Sequence, residues 1–334
     1  MIKIDVLLST NTKYADIFPI KDKDNVNKLY KEYCKAFHPD VCQHVNATDA
    51  FTNLQALYKE AVDALEGNTW IGSNSVFFQT TTKGLSINYL YHHVFELGEY
   101  YVTNDFVVYV FENSKKLYYN NYIKRVKNIK YADDKMKSYY ERFMPSVYKE
   151  YDTDTKHIIV INKPRDVYPL RCLIENYFDN AVPSEHLAWM TTRLVNLCCF
   201  FNYNNIVMNG INVDNLFVSP QHHSICMYGG WWYAVPEGEK MVGTTGDIFN
   251  VMTPKTKANK IAEAVTDVES IKLIGRRLSN AKTPTPLSNF YSLGSTNNAI
   301  EAAEDWEKAI ENAFGRRRFI KIENINNKTM YKKG

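Results

Sequence analysis

The chain lacks any apolar stretch approaching the ~20 residues that a membrane-crossing helix needs, and no signal peptide is read at its start. A soluble, cytoplasmic protein is expected. It also lacks a dominant charge: 40 Lys and Arg against 37 Asp and Glu leave a net +3. That removes the general electrostatic case for a nucleic-acid partner, leaving only Arg316-Arg317-Arg318 and Lys332-Lys333 as a basic end, expected to be a solvated tail. Six cysteines show no metal-ligand spacing, so buried reduced thiols are expected, including Cys198-Cys199. No metal, no cofactor, no internal repeat and no low-complexity segment is read.

What the chain does have begins near its N-terminus. Val26, Leu29, Tyr30, Tyr33, Cys34 and Phe37 recur at steps of three and four, while Lys28, Lys31, Glu32 and Lys35 fall on the opposite side of the same helix. Pro39 forbids continuation. After a polar loop, Phe51, Leu54, Leu57, Tyr58, Ala61 and Leu65 repeat the helical period, with Asn46 or Thr48 as cap and Gly67 as stop. Two such helices bury their stripes on each other, which places His38-Pro39-Asp40 at the tip of a helical hairpin.

The tripeptide alone is a weak signal, but its context resembles the J-domain family. Tyr14-Ala15-Asp16-Ile17-Phe18 is similar to the family's short first helix, Lys28-Leu29-Tyr30-Lys31 to its basic second helix, and Phe51 to Tyr58 to the core of its third. The bland alternative is a plain helical hairpin with a chance loop sequence. The resemblance implies a partner rather than a reaction: J-domains dock on heat-shock ATPase chaperones and stimulate ATP hydrolysis. It assigns chaperone binding to His38, Pro39, Asp40, Lys28, Lys31 and Lys35. Glu32 departs from the family's basic pattern.

A domain ending near Gly67 leaves about 260 residues, enough for a large second core. Residues 68–85, with Gly72, Ser73 and Thr80-Thr81-Thr82, have linker composition. Strand patterns follow at Tyr89 to Phe95, Glu99 to Val102 and Phe106 to Phe111, then a helical segment around Tyr139 to Met144, then a buried strand His157 to Asn162. A long helix runs from Glu185 to Phe201, with Leu187, Met190, Leu194, Leu197, Cys198 and Phe201 on one face.

This order resembles the protein-kinase fold. Met208 to Asn215 is similar to the catalytic loop His-Arg-Asp-x-x-x-x-Asn, Thr266 to Ile271 to the helix whose Asp braces that loop, and Tyr228-Gly229-Gly230 falls where Asp-Phe-Gly belongs. The fold class expected is therefore multidomain: an all-α J-domain helical hairpin (1–67), a linker (68–85), and an α+β kinase-like bilobal fold divided into 86–165 and 166–334. The alternative is an unrelated α+β domain.

The departures carry the functional reading. Phosphoryl transfer needs a base to orient the nucleophile, a carboxylate and an amide on magnesium, and a lysine on the phosphates. Gly210 and Met208 replace the loop Asp and His, Tyr228 replaces the metal Asp, and Val110 stands where the strand lysine belongs. Asn215 alone remains, and no Gly-x-Gly-x-x-Gly loop precedes the strand. No catalytic residue is assigned. The expectation is a J-domain co-chaperone whose pseudokinase-like half binds an unknown protein client or scaffolds a complex. The alternatives are an atypical transferase, recruiting Lys115, Lys116, Asp214 or Asp247, and a structural protein with a vestigial J-domain. Trp231-Trp232 either fills the nucleotide cleft or forms an exposed partner contact, and cleft filling is expected. Richness in Lys, Asn, Ile and Tyr resembles coding by an AT-rich genome such as a bacteriophage's, in which case the chaperone is the host's.

Overall fold

The computed structural model describes residues 4–9, 12–18, 23–67, 74–81, 84–294, 298–316 and 319–331. Two compact units divide the chain. One comprises Met1–His93, Tyr101–Thr103 and Tyr151–Thr155; the other comprises Val94–Tyr100, Asn104–Glu150 and Lys156–Gly334.

The first unit opens with four helices: α1 (Ile4–Leu8), α2 (Tyr14–Ile17), α3 (Lys23–Phe37) and α4 (Ala47–Glu66). Val26, Tyr33 and Phe37 of α3 pack on Ala50, Leu54, Leu57, Ala61 and Ala64 of α4, closed by Leu7, Ile17 and Phe18. The alanines keep one side of the interface thin, so the bulky rings opposite can interdigitate. Leu29, Tyr30 and Cys34 lie at the margin of this core. Tyr58 stacks on Tyr30 with ring centroids 3.8 Å apart, and its hydroxyl donates to Asn27 Oδ1 at 2.7 Å. Phe51, expected in the stripe, instead presents its ring to His38, 5.2 Å away, and Ala50 takes the core position. Asn46 is the N-cap by position, but its side chain accepts no bond from the first turn; Gly67 ends the helix in ordinary right-handed geometry.

Part of the stretch expected to be linker is strand. β1 (Ser75–Gln79) pairs antiparallel with β2 (Gly84–Asn88), from Ser75 opposite Asn88 to Gln79 opposite Gly84. Val76-Phe77-Phe78 is apolar enough to support a strand inside an otherwise polar segment. Residues 68–73 and 82–83 lie outside the described residues, as do Arg317, Arg318, Lys332 and Lys333 of the expected basic tail.

A five-stranded sheet of order β3-β4-β5-β7-β6 follows: β3 (Tyr91–Phe95), β4 (Gly98–Val102), β5 (Phe106–Glu112), β6 (Ser146–Asp152) and β7 (Lys156–Asn162). In the second unit, β5 and β7 pair antiparallel with Val107 opposite Ile161, and both are buried over their central residues, as strands covered on two faces must be. Helices α5 (Lys116–Lys127) and α6 (Asp134–Tyr140) lie between β5 and β6 in sequence. Beyond β7 come the short β8 (Tyr168–Pro169), α7 (Leu170–Cys172), one turn of π-helix at Leu173–Tyr177, and α8 (Ser184–Tyr203). All six of the expected α8 core residues are buried, and Val195 and Phe200 are buried as well.

Then follow β9 (Ile206–Val207), the hairpin β10 (Leu216–Ser219) and β11 (Ser224–Met227), and β12 (Val235–Pro236), which pairs with β9. Helices α9 (Gly246–Val251), α10 (Pro254–Asn259), α11 (Val265–Leu278), α12 (Thr285–Phe290) and α13 (Ala299–Phe314) complete the helical part. Asn298 caps α13 reciprocally with Glu301, and the buried Trp306 of α13 donates from Nε1 to Thr192 of α8 at 2.9 Å. The described residues 319–331 include α14 (Asn327–Met330), where Met330 is fully buried and its carbonyl accepts from Asn176 Nδ2 at 2.7 Å. Among the described residues no helix is long and apolar enough to cross a membrane.

Candidate functional site

The centre of the second unit is the loop Met208–Asn215, which β9 delivers and β10 continues. Asp267, on α11, is 1% exposed and accepts both the Met208 N–H (2.7 Å) and the Asn209 N–H (3.0 Å). Asn209 sits at φ +51°, a left-handed conformation that Asn tolerates, and its side-chain Nδ2 donates to the Val207 and Tyr233 carbonyls. Farther along, Asn212 Oδ1 accepts the amides of Asp214 and Asn215, while Asn215 Nδ2 reaches back to the Gly210 carbonyl at 2.7 Å. The loop is thus closed by its own amides and one buried carboxylate. Burial pushes the Asp267 carboxyl up to about 7, against the pull of its two amide donors.

Each position read from the sequence can be placed around this loop. Met208 is fully buried. Gly210 faces Gly230 so closely that a Cβ at 210 would lie 3.1 Å from the Gly230 backbone and 3.1 Å from the Tyr233 ring. A Cβ at Gly229 would meet Asn215 Oδ1 at 2.7 Å and the Tyr109 hydroxyl at 3.0 Å, and Gly230 lies at φ +81°. Tyr228 is buried and its carbonyl accepts from the Tyr122 hydroxyl at 2.8 Å; burial drives its own phenol pKa far up. Val110 is buried in β5 but is not the residue that looks into the site. Alternation along the strand turns Tyr109 and Phe111 toward Trp232 and sends Val110 to the opposite face, so the site-facing position belongs to an aromatic residue.

The space between sheet, α5 and loop is filled by aromatic rings. Trp232 stacks on Phe95 of β3 (5.0 Å, 28°) and on Tyr122 of α5 (5.9 Å, 22°), and meets Tyr109 and Phe111 edge-on at 5.3 and 5.7 Å. Trp231 is equally buried and donates from Nε1 to the Met227 carbonyl at 2.7 Å. The two indoles are therefore core and not an exposed contact. Helix α5, which the sequence patterning missed, is pinned to the same segment: Asn121 Nδ2 donates to the carbonyls of Trp232 (3.0 Å) and Ala234 (2.9 Å), and Arg125 Nε to Ala234 at 3.1 Å. Its signal was slight, since Tyr119 and Tyr122 are its main apolar residues amid lysines and asparagines.

Of the charges considered as recruits, the two carboxylates lie beside the loop and are each paired with an arginine. Asp214 pairs with Arg171, which also pairs with Glu175, and Asp247 pairs with Arg277 at 2.7 Å. These residues line an open cleft of about 470 Å³ beside the loop, together with Glu96. Glu96, in the tight turn between β3 and β4, accepts from the Tyr233 hydroxyl at 2.6 Å. Lys116 is exposed and Lys115 half-buried on the surface at the start of α5.

In the first unit the α3–α4 turn presents His38, Pro39 and Asp40 to solvent. The His38 carbonyl accepts from Val41 N (2.9 Å) and Cys42 N (2.8 Å), and its Nδ1 accepts from Asp40 N at 3.2 Å, with the Asp40 carboxylate 3.5 Å from the same nitrogen. Lys28, Lys31 and Lys35 are exposed, and their spacing sets them along one edge of α3.

Two outcomes test this geometry. The folded-state pKa of Asp267 is raised, so the folded chain holds its proton more tightly than the unfolded chain; that stabilising contribution is full below about pH 4 and is lost as pH rises through about 7. Asp267→Asn leaves one amide donor unpaired, at a cost of about 1–3 kcal/mol, but does not titrate. Urea unfolding at pH 4, 5.5 and 7 should show the wild-type advantage shrinking as pH rises, and a constant gap would overturn the assignment. Trp232→Ala should lower stability by about 3–5 kcal/mol, because the rings around it cannot collapse into the vacated volume. A loss under about 1 kcal/mol in the same assay would mean that the indole is not what holds sheet, helix and loop together.

No protein-family model matches the chain, and no curated protein matches it. Solved structures do. The chain is similar to vaccinia related kinase 3 at 14% identity, over 71% of this chain and 76% of that one, with a TM-score of 0.47. It is similar to the BubR1 kinase domain at 6% identity, over 77% of this chain and 92% of that one, with a TM-score of 0.51. The second likeness, which spans nearly all of a kinase domain, together with the β3-β4-β5-β7-β6 sheet and the carboxylate-braced loop, establishes that the chain carries a mixed α/β bilobal fold of protein-kinase type.

Proposed function

We propose that the chain is a J-domain co-chaperone that recruits and stimulates a heat-shock chaperone ATPase, and that its kinase-like half is a catalytically degenerate module binding a client or a complex. The observation that carries this reading is the exposed His38-Pro39-Asp40 turn at the tip of the α3–α4 pair, with Lys28, Lys31 and Lys35 along one helix edge beside it. An ordered turn offers a carboxylate and an imidazole at a fixed spacing, and the lysine edge steers an acidic partner toward it.

The degenerate reading of the second half is supported by chemistry. At Gly210 no carboxylate stands where a base would orient the nucleophile, the nearby Asp214 and Asp247 being paired with Arg171 and Arg277; at Tyr228 there is none to hold magnesium, and at the site-facing strand position a phenol stands where a cation would grip phosphates. Trp232 occupies the neighbouring volume. A cleft without those charges offers binding surface rather than phosphoryl transfer.

Two measurements bear on the two halves separately. Asp40→Asn should abolish stimulation of a chaperone's steady-state ATPase while leaving helicity by circular dichroism unchanged, whereas Lys31→Ala should weaken binding in a manner that salt diminishes. Undiminished stimulation by Asp40→Asn would sink the co-chaperone reading. Magnesium-ATP should leave the melting temperature of the intact chain unmoved; a magnesium-dependent rise would return weight to an atypical transferase.

A further inference from the structure

A second cleft, of about 440 Å³, lies away from the loop 208–215 and plays no part in the reading above. Its walls come from four places: the end of α6 and the turn after it (Tyr139, Arg142, Phe143), the segment after β7 (Asp166), the middle of α8 (Arg193) and the β10–β11 hairpin (Ser219, His222, His223). Two guanidinium groups face it. Arg142 lies over the rings of Tyr139 (5.3 Å) and Phe143 (4.7 Å) and anchors its Nε on the Tyr139 carbonyl at 3.2 Å. Arg193 anchors its Nε on the His223 carbonyl at 2.8 Å. Each arginine is held through Nε, so its two outer nitrogens are not used by that bond.

The one carboxylate in the cleft is already engaged. Asp166 accepts the Ser219 hydroxyl and lies 3.7 Å from His222 Nε2. Buried Lys163, whose ammonium donates to the Pro164 and Val167 carbonyls, adds positive charge behind it even though burial lowers its pKa to about 8. The His223 ring lies between Trp189 (4.4 Å, 7°) and Phe319 (4.0 Å, 20°), which adds stacked rings to this wall. Cationic groups thus outnumber the uncommitted acids, and flat apolar rings stand beside them.

We infer that this cleft binds a phosphate monoester carried on an apolar or aromatic group. A guanidinium fork matches the paired oxygens of a phosphate, two forks match three oxygens better than the two of a carboxylate, and the volume is too large for inorganic phosphate alone. The carrier lies against Tyr139 and Phe143. The source is either a phosphorylated side chain of a partner or a small phosphorylated metabolite, and the two share this chemistry.

The test titrates the intact chain, at constant ionic strength, with inorganic phosphate, phenyl phosphate and a phosphotyrosyl peptide by calorimetry. Phenyl phosphate and the peptide should both bind more tightly than inorganic phosphate, and Arg142→Gln should weaken them about tenfold or more. A peptide tighter than phenyl phosphate supports the protein source, and equal affinities support the small molecule. Arg193→Gln should act likewise; because its Nε holds the β10–β11 turn, its melting curve is recorded beside it, and the exposed Arg142 serves if that variant does not fold. Inorganic phosphate binding as tightly as phenyl phosphate, or affinities unchanged by Arg142→Gln, would overturn the proposal.

Discussion

The loop at the centre of the second unit is oriented by one buried carboxylate. The amides of Met208 and Asn209 converge on Asp267, and the loop that follows them turns back on itself through Asn212 and Asn215. Without that acceptor, two amide donors would be left unpaired in a dry interior, each at a cost of about 1–3 kcal/mol. The left-handed turn at Asn209 and the close approach of Gly210 to Gly230 both depend on it. Burial in turn raises the carboxyl's pKa to about 7, so the group that organises the loop changes its protonation near neutrality.

Around this anchor, strand, helix and loop meet chiefly through aromatic rings. Phosphoryl transfer holds strand, helix and metal loop together through a lysine, a carboxylate and magnesium. Here Tyr109, Tyr122, Phe95 and Trp232 interlock, and the helix side is fastened by a neutral amide, Asn121, on the carbonyls of Trp232 and Ala234. Such contacts need neither nucleotide nor ion to persist.

Much of this was legible in the sequence, and the failures have physical causes. The stripes of α3, α4 and α8 announced themselves because long amphipathic helices repeat their apolar positions several times over. Asp267 could be found because the loop and its bracing helix each carry a local pattern. Helix α5 and strand β6 could not. Lys116–Lys127 buries only two tyrosines and an asparagine, and Ser146–Asp152 has no buried residue, so neither shows the periodicity that burial imposes. The hairpin β1–β2 hid in polar surroundings. Val110 was one residue out because a strand's apolar run does not say which of two alternating faces meets the site; only the partner rings decide that.

The crowding at Gly210, Gly229 and Gly230 bears on how this chain can change over generations. Each glycine leaves room that a neighbour already uses: the Gly230 backbone for one, Asn215 and Tyr109 for another. At Gly229 an added Cβ would fall 2.7 Å from Asn215 Oδ1, and at Gly230 the positive φ strains any other residue, so a codon change at either is harmful until a second change relieves it. The positions are therefore bound by epistasis, and drift at one is conditional on drift at the others. An aspartate at Gly210 would press on the Gly230 backbone and the Tyr233 ring at 3.1 Å, so a lineage that acquires one must also let that neighbouring segment give way.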